Sequence, residues 1–301
     1  MHSDHPRPDR RTALKAAGAA AVGALAAAAA APAADESYKP KGNVNHSVCR
    51  WCYSKIPLEK LAEAAHRDGY KSVELLLPPE VLKVKPLGIG CALLGGADIV
   101  HGLNREEYHP KILHQLREFI EFAADNGVPN VICMAGNRTI DGRGRPLDGR
   151  TVSDEEGLET CAKGLKQVVG LAEAKKVTLV MEGLNSKVNH KDYMYDKTPW
   201  GVELCKKVGS PRFKLLYDIY HMQIMEGDVI ATVRKYKDYI AHYHTGGVPG
   251  RHEIDETQEL NYPAIMKAIL ATGYQGYVAQ EFIPARDPLA SLAQGLRICD
   301  V

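Results

Sequence analysis

Little in this chain would hold it together other than its own core. Its seven cysteines, Cys49, Cys52, Cys91, Cys133, Cys161, Cys205 and Cys299, are odd in number and scattered through apolar segments. That is not a disulfide framework. Cys49-Arg50-Trp51-Cys52 has the spacing of a redox dithiol or of half a zinc site, but no second pair completes a zinc ligand set. The cysteines are therefore read as buried free thiols. An excess of one charge is missing too: 38 Lys and Arg against 37 Asp and Glu leave +1. No basic field is present to gather nucleic acid or anionic lipid. Beyond the N-terminus there is no long apolar stretch to span a membrane. Beyond that N-terminus no repeats or low-complexity segments stand out, and no glycine-rich phosphate fingerprint follows the first apolar run, which argues against a dinucleotide-binding sheet.

The N-terminal stretch "DRRTALKAAGAAAVGALAAAAAAPAAD" stands apart. A twin arginine (Arg10, Arg11) precedes Leu14 and Lys15, then an alanine-rich run, then Ala31-Pro32-Ala33. This is the layout of a secretory signal, and the arginine pair points to the twin-arginine route. Residues 1–33 are expected to be an export signal cleaved after Ala33, leaving a periplasmic or extracellular protein. Alanine is weakly apolar and the run is short, so no stable membrane anchor is expected. No cysteine sits near the cleavage site to carry a lipid. The leader holds four basic and two acidic side chains, so the remainder lies near −1. A route that exports proteins already folded in a reducing cytoplasm suits unpaired thiols.

What remains, residues 34–301, reads as one domain. Over the whole sequence hydrophobic residues make up 45 % and charged residues 25 %, ordinary for a globular chain with ample core. Eight short apolar runs are expected as strands: 43–48, 71–76, 87–93, 130–136, 177–182, 213–218, 239–244 and 276–281. Amphipathic helices are expected between them at 57–70, 111–127, 153–176 and 261–273. The third of these opens with Ser153 as N-cap and Glu156 three positions on, a capping box. The link "PPEVLKVKP" is too proline-rich for a full helix. Strand alternating with helix implies a parallel sheet with right-handed crossovers. Eight units of this length predict an α/β fold, a (β/α)8 TIM barrel. A doubly wound open sheet is the runner-up.

Four of the runs end alike. "VTLVME" ends at Glu182, "FKLLYD" at Asp218, "YIAHYH" at His244 and "GYVAQE" at Glu281. In a parallel barrel every strand C-terminus lies on one face, so these groups converge. Three clustered carboxylates raise one another's pKa, a conflict that a divalent cation removes. Two glutamates, an aspartate and an imidazole form an oxygen-rich donor set suited to one Mn2+, with Mg2+ or Co2+ as alternatives, rather than to a structural zinc. His242 shares the parity of His244 and could exchange places with it if the register slipped. A lone acid at a strand end is more often a helix N-cap or an ion-pair partner. Four on consecutive strands favour a metal site.

From about 43 to 285 the chain resembles the xylose isomerase-like barrel superfamily. Within it, the chain is most similar to hydroxypyruvate isomerase-like proteins and ketose 3-epimerases. "VMEGLNS", "YDIYHMQ", "HYHTGGVPGRHE" and "ELNYPAI" carry the match. The resemblance implies Glu182, Asp218, His244 and Glu281 as metal ligands, Glu182 and Glu281 as the catalytic proton-transfer pair, and His221 and Arg251 as contacts to substrate oxygens. The 3-epimerases carry a further glutamate where this chain has Val188, and enteric hydroxypyruvate isomerases often have glutamine where it has His244. The family's range also includes dehydratases.

The expected activity is a metal-dependent isomerase of a small sugar or hydroxy-keto acid, working through an enediolate. The residues add their own indications. His221 should project beside Asp218 toward a substrate hydroxyl. Arg251 follows "TGGVPGR", read as a mobile loop, where a guanidinium could grip a carboxylate. Trp51 and Trp200 could wall a sugar pocket, and His101 in "GADIVHGLNREEYHP" is a further substrate contact. His190 and Tyr193 follow Glu182 and are placed near the entrance. A zinc-cluster nuclease would need more strand-end histidines and a cationic surface, and an exported sugar-binding module would not need paired glutamates on the metal. Assembly into a homo-oligomer is expected only by analogy with relatives.

Overall fold

The computed structural model describes residues 38–301; the leader expected at 1–33 and its cleavage point lie outside them. Eight strands run in chain order: β1 (Asn45–Cys49), β2 (Ser72–Glu74), β3 (Leu93–Leu94), β4 (Asn130–Cys133), β5 (Thr178–Glu182), β6 (Phe213–Asp218), β7 (Ile240–Thr245) and β8 (Tyr277–Gln280). The helices are α1 (Leu58–Asp68), α2 (Pro78–Val84), α3 (His109–Asn126), α4 (Asp154–Lys166), α5 (Val169–Lys175), α6 (Thr198–Val208), α7 (Ile219–Met225), α8 (Val229–Tyr236), α9 (Tyr262–Ala271) and α10 (Pro288–Cys299). The strands are parallel and ordered β2-β1-β8-β7-β6-β5-β4-β3. Parallel bridges from Ser72 to Gly90 and from Leu76 to Leu94 join the two ends. This is the expected (β/α)8 barrel.

Three expectations are corrected. The third strand, expected at 87–93, is only Leu93–Leu94. Its predicted start is spent on a 3-10 turn at Lys85–Leu87 that ends on Gly88, whose φ of 79° is left-handed. The segment "PPEVLKV" is a helix after all. Pro78 and Pro79 occupy its first turn, where a missing N–H breaks no bond, and Glu80 accepts from the Leu77 N–H (2.9 Å). The helix expected over 153–176 breaks into α4 and α5 at Gln167–Val168. Its start is as foreseen, with Ser153 Oγ accepting from the Glu156 N–H (3.2 Å).

Apolar side chains of strands and helices form one continuous core. All seven cysteines are unpaired, and burial pushes the Cys49 thiol well up, so Cys49–Cys52 has no reactive thiolate. Among the described residues no helix is long and apolar enough to cross a membrane.

Candidate active site

The barrel's parity decides which side chains meet. Glu182 and Asp218 are the last residues of β5 and β6, His244 is the penultimate residue of β7, and Glu281 follows β8 directly. Asp218 stands opposite His244 in register. One ligand atom from each of the four lies within 4.8 Å of the others, and all four side chains are buried. His244 Nδ1 faces Glu182 Oε1 (3.2 Å) and Glu281 Oε2 (2.6 Å). Asp218 is also a helix N-cap: its Oδ1 accepts from the His221 N–H (3.1 Å) at the start of α7. The ordinary reading of a strand-end acid and the ligand reading hold together there, because each carboxylate oxygen has its own task.

Arg251 is the cation already in place. Its guanidinium bonds Asp218 Oδ2 (2.6 Å) and Glu281 Oε2, while its Nε–H donates to the Glu281 carbonyl (3.0 Å). It lies over the Tyr220 ring at 4.8 Å and the Trp51 ring at 5.7 Å. The expectation of a mobile loop is corrected. Arg251 is buried, its N–H donates to the Gly247 carbonyl (2.8 Å), and the Gly247 N–H donates to the His252 carbonyl (2.9 Å). The loop closes this tightly because position 247 lacks a Cβ, which would lie 2.3 Å from the Glu253 carbonyl oxygen.

His221 accepts at Nδ1 from the Asn185 N–H (3.1 Å). Burial and Arg251 lower its pKa well below the ordinary value. The ring is therefore neutral. Nε2 lies 2.7 Å from an Arg251 nitrogen, which can only donate, so the imidazole and the guanidinium form one joined polar wall of the cavity. Trp51 donates its indole N–H to Glu281 Oε1 (2.6 Å).

One functional side chain escaped the sequence. Glu74, the last residue of β2, is fully buried, and its Oε1 accepts from His242 Nε2 (2.8 Å) and His244 Nε2 (2.9 Å). This places a hydrogen of His244 on Nε2 and turns Nδ1 toward the carboxylates, the arrangement by which a carboxylate orients a metal-binding histidine. It also settles the register: His242 lies outside the quartet, held by Glu74. The signal was present in "KSVELL", an apolar run interrupted by an acid, but that acid was not at the run's predicted end. Replacing Glu74 by Gln is expected to weaken divalent-metal affinity by about 10–100-fold, measured by competition against a chelating dye. Unchanged affinity would reduce Glu74 to a packing role.

The electrostatics separate the two glutamates. Burial, reinforced by Glu281, pushes the Glu182 carboxyl up to about 7. Burial also acts on Glu281, but Arg251 and His244 outweigh it and hold that carboxyl well below its ordinary value. Burial opposes charge on His244, yet its pKa is well raised. The nearby Cys49 thiol is neutral, so the carboxylates supply that effect. The donor set therefore fits a hard divalent cation: oxygen-rich, dense in negative charge, with an imidazole nitrogen aimed inward and a guanidinium serving as counter-charge.

The quartet opens into a cavity of about 710 Å3 lined by Glu182, Glu281, His221, Arg251, Trp51 and His190, among others. Three expected contacts fall elsewhere. His101 is half exposed, pairs with Asp98 (2.9 Å), and lines an adjoining cavity of about 490 Å3. Trp200 packs on Tyr195 (5.8 Å between centroids) and donates to the Asp154 carbonyl (3.2 Å). Tyr193 is fully buried and props Glu182 from behind, its hydroxyl donating to that residue's carbonyl (3.1 Å).

A family model described as Xylose isomerase-like TIM barrel matches residues 62–299. The chain belongs to this family. A human family relative, provisionally named a hydroxypyruvate isomerase, is 27 % identical over 244 residues, covering 81 % of this chain and 80 % of that protein. The 2-oxo-tetronate isomerase of Cupriavidus necator is 34 % identical over 133 residues, 44 % of this chain and 50 % of that one. The solved structure of the E. coli 3-keto-D-glucoside 4-epimerase superposes with a TM-score of 0.71 at 21 % identity, covering 85 % of this chain and all of that one. The last likeness speaks for the fold alone.

Proposed function

We propose that the chain is a divalent-metal-dependent isomerase that moves a proton between the carbons of an α-hydroxy-carbonyl substrate, a keto acid or ketose, through an enediolate. The convergence of two glutamates, an aspartate and a histidine at the mouth of the barrel carries this reading. Isomerase names among the sequence relatives support it. Glu182, Asp218, His244 and Glu281 would hold the cation, with Mn2+ favoured by the donor set. When bound, the ion polarises the substrate carbonyl and lowers the cost of negative charge on oxygen.

The chain's own groups supply the rest. His221 contacts a substrate oxygen, and Arg251 grips the same end of the molecule. Glu182 and Glu281 remove and return the carbon-bound proton. A 3-epimerase is the second reading. Against it, Val188 sits 60 % exposed at the cavity mouth, where the resemblance to 3-epimerases called for a glutamate. The leader at 1–33 would place the mature enzyme outside the cytoplasm, which N-terminal sequencing of the secreted chain tests.

In heavy water, the enzyme loaded with Mn2+ after chelation is expected to wash deuterium into the hydroxymethyl group of hydroxypyruvate, read by NMR. Absence of exchange from hydroxypyruvate and from a panel of ketoses would sink the isomerase reading. The same preparation carries a pH prediction. Glu182, raised to about 7, must lose its proton to ligate, and so must any charged His244. Metal affinity is therefore expected to weaken by at least about tenfold for each unit that pH falls below 7. A flat titration by calorimetry would contradict it.

A further inference from the structure

The reacting unit needs only the quartet, His221 and Arg251, yet the cavity offers far more room. At about 710 Å3 it lies in the range that encloses a drug-sized ligand, well beyond a three- or four-carbon acid. Its polar groups cluster at one side. The opposite wall is Leu75, Ile99, Ile132 and Met134. The second cavity, of about 490 Å3, shares Gly95, Gly96, Ala97, Ile132 and Met134 with the first, and its remaining lining mixes Ile112, Leu116 and Phe119 with Asp98, Glu107, Lys111 and Gln115. Sugar hydroxyls pressed against that wall would give up water and find no side-chain partner. Apolar surface there would be favoured.

Building on the isomerase reading, we propose that the substrate's α-hydroxy-carbonyl unit bears an aromatic or branched aliphatic arm. The arm leaves the quartet along Ile99 and Ile132 and lies against Met134, Leu75 and Ala97, beside the side-chain-free backbone of Gly95–Gly96. It takes no part in the bond changes: one C–H proton leaves, its pair forms the enediolate, and a proton returns to the neighbouring carbon. The arm supplies binding energy remote from the reacting atoms, which an enzyme can use to orient them.

Two neutral probes with one reactive unit test this: hydroxyacetone, with a methyl arm, and 2-hydroxyacetophenone, with a phenyl arm. Deuterium exchange into the hydroxymethyl group is followed with the Mn2+-loaded enzyme, aliquots being chelated before NMR. Each kcat/KM is divided by the probe's deuteroxide-catalysed rate. The phenyl probe is expected to lead by at least about tenfold, the scale of modest hydrophobic discrimination. Ala97→Trp, which fills that side of the cavity, is expected to bring the ratio toward one. Ile99→Asp, on a half-buried wall, should do the same and replaces Ala97→Trp if that variant does not fold. A wild-type ratio of one or less, or a ratio that neither substitution moves, overturns the arm. Exchange with hydroxyacetone but no phenyl preference sinks the arm and leaves the isomerase reading standing. No exchange with either probe, nor with hydroxypyruvate, sinks both.

Discussion

Glu182→Gln is expected to lower kcat by about 10²–10⁴-fold, the range that a positioned acid–base group contributes, while the melting transition stays cooperative. Glutamine keeps the volume and planarity of the side chain, so the packing around this buried position is undisturbed. What disappears is the ability to exchange a proton. Burial beside Glu281 sets that ability near neutrality by raising Glu182 to about 7, where a group gives and takes protons with least bias. The substitution also alters one of the four proposed ligands, so turnover is to be measured across a Mn2+ titration, with bound metal determined in parallel. If saturating metal fills the site and turnover stays low, proton transfer is the lost function. If occupancy and turnover recover together, Glu182 serves only to hold the ion. Full activity without added metal would remove both roles.

The proposed quartet of Glu182, Asp218, His244 and Glu281 was legible because chain position and barrel geometry agreed. Each run ended on an ionisable residue, and in a parallel barrel all such ends face one way, so position along the chain was enough to place the side chains together. The same logic failed for Glu74. β2 is only three residues long and closes the sheet to β3 partly through bridges, so its end was predicted two residues late. Arg251 was picked out by its neighbours in sequence, but its burial depends on Tyr220 and Trp51, contributed by distant segments. Nothing local in "TGGVPGR" says that the loop folds inward. His101 misled for the complementary reason: a polar loop after β3 was expected over the mouth, whereas the loop directs His101 to Asp98 and the adjoining cavity. Strand ends are fixed by the fold's symmetry, while loop directions are fixed by packing between segments far apart in the chain.

Arg251→Met carries the largest expected effect on stability, and the effect depends on metal. In chelator the guanidinium is the counter-charge that lets Asp218 and Glu281 stay together in a dry site. Methionine fills much of the same volume but leaves those carboxylates unpaired, a change that costs about 3–5 kcal/mol when one member of a buried ion pair is removed. Glu281 fixes the sign of the pH dependence. Burial alone would raise its carboxyl, yet Arg251 and His244 hold it below its ordinary 4.5. Its contribution to stability is therefore full above 4.5 and fades as pH falls below it. The deficit of the variant should be largest at neutral pH and shrink in acid. Mn2+ should restore much of it, because the cation takes over the neutralising role and binds only the folded chain. Denaturant melts of wild type and variant, with and without metal, at neutral pH and near pH 4, read all three statements. A variant as stable as wild type in chelator would mean that the acids are neutralised by protons alone, and that the guanidinium is there only for the substrate.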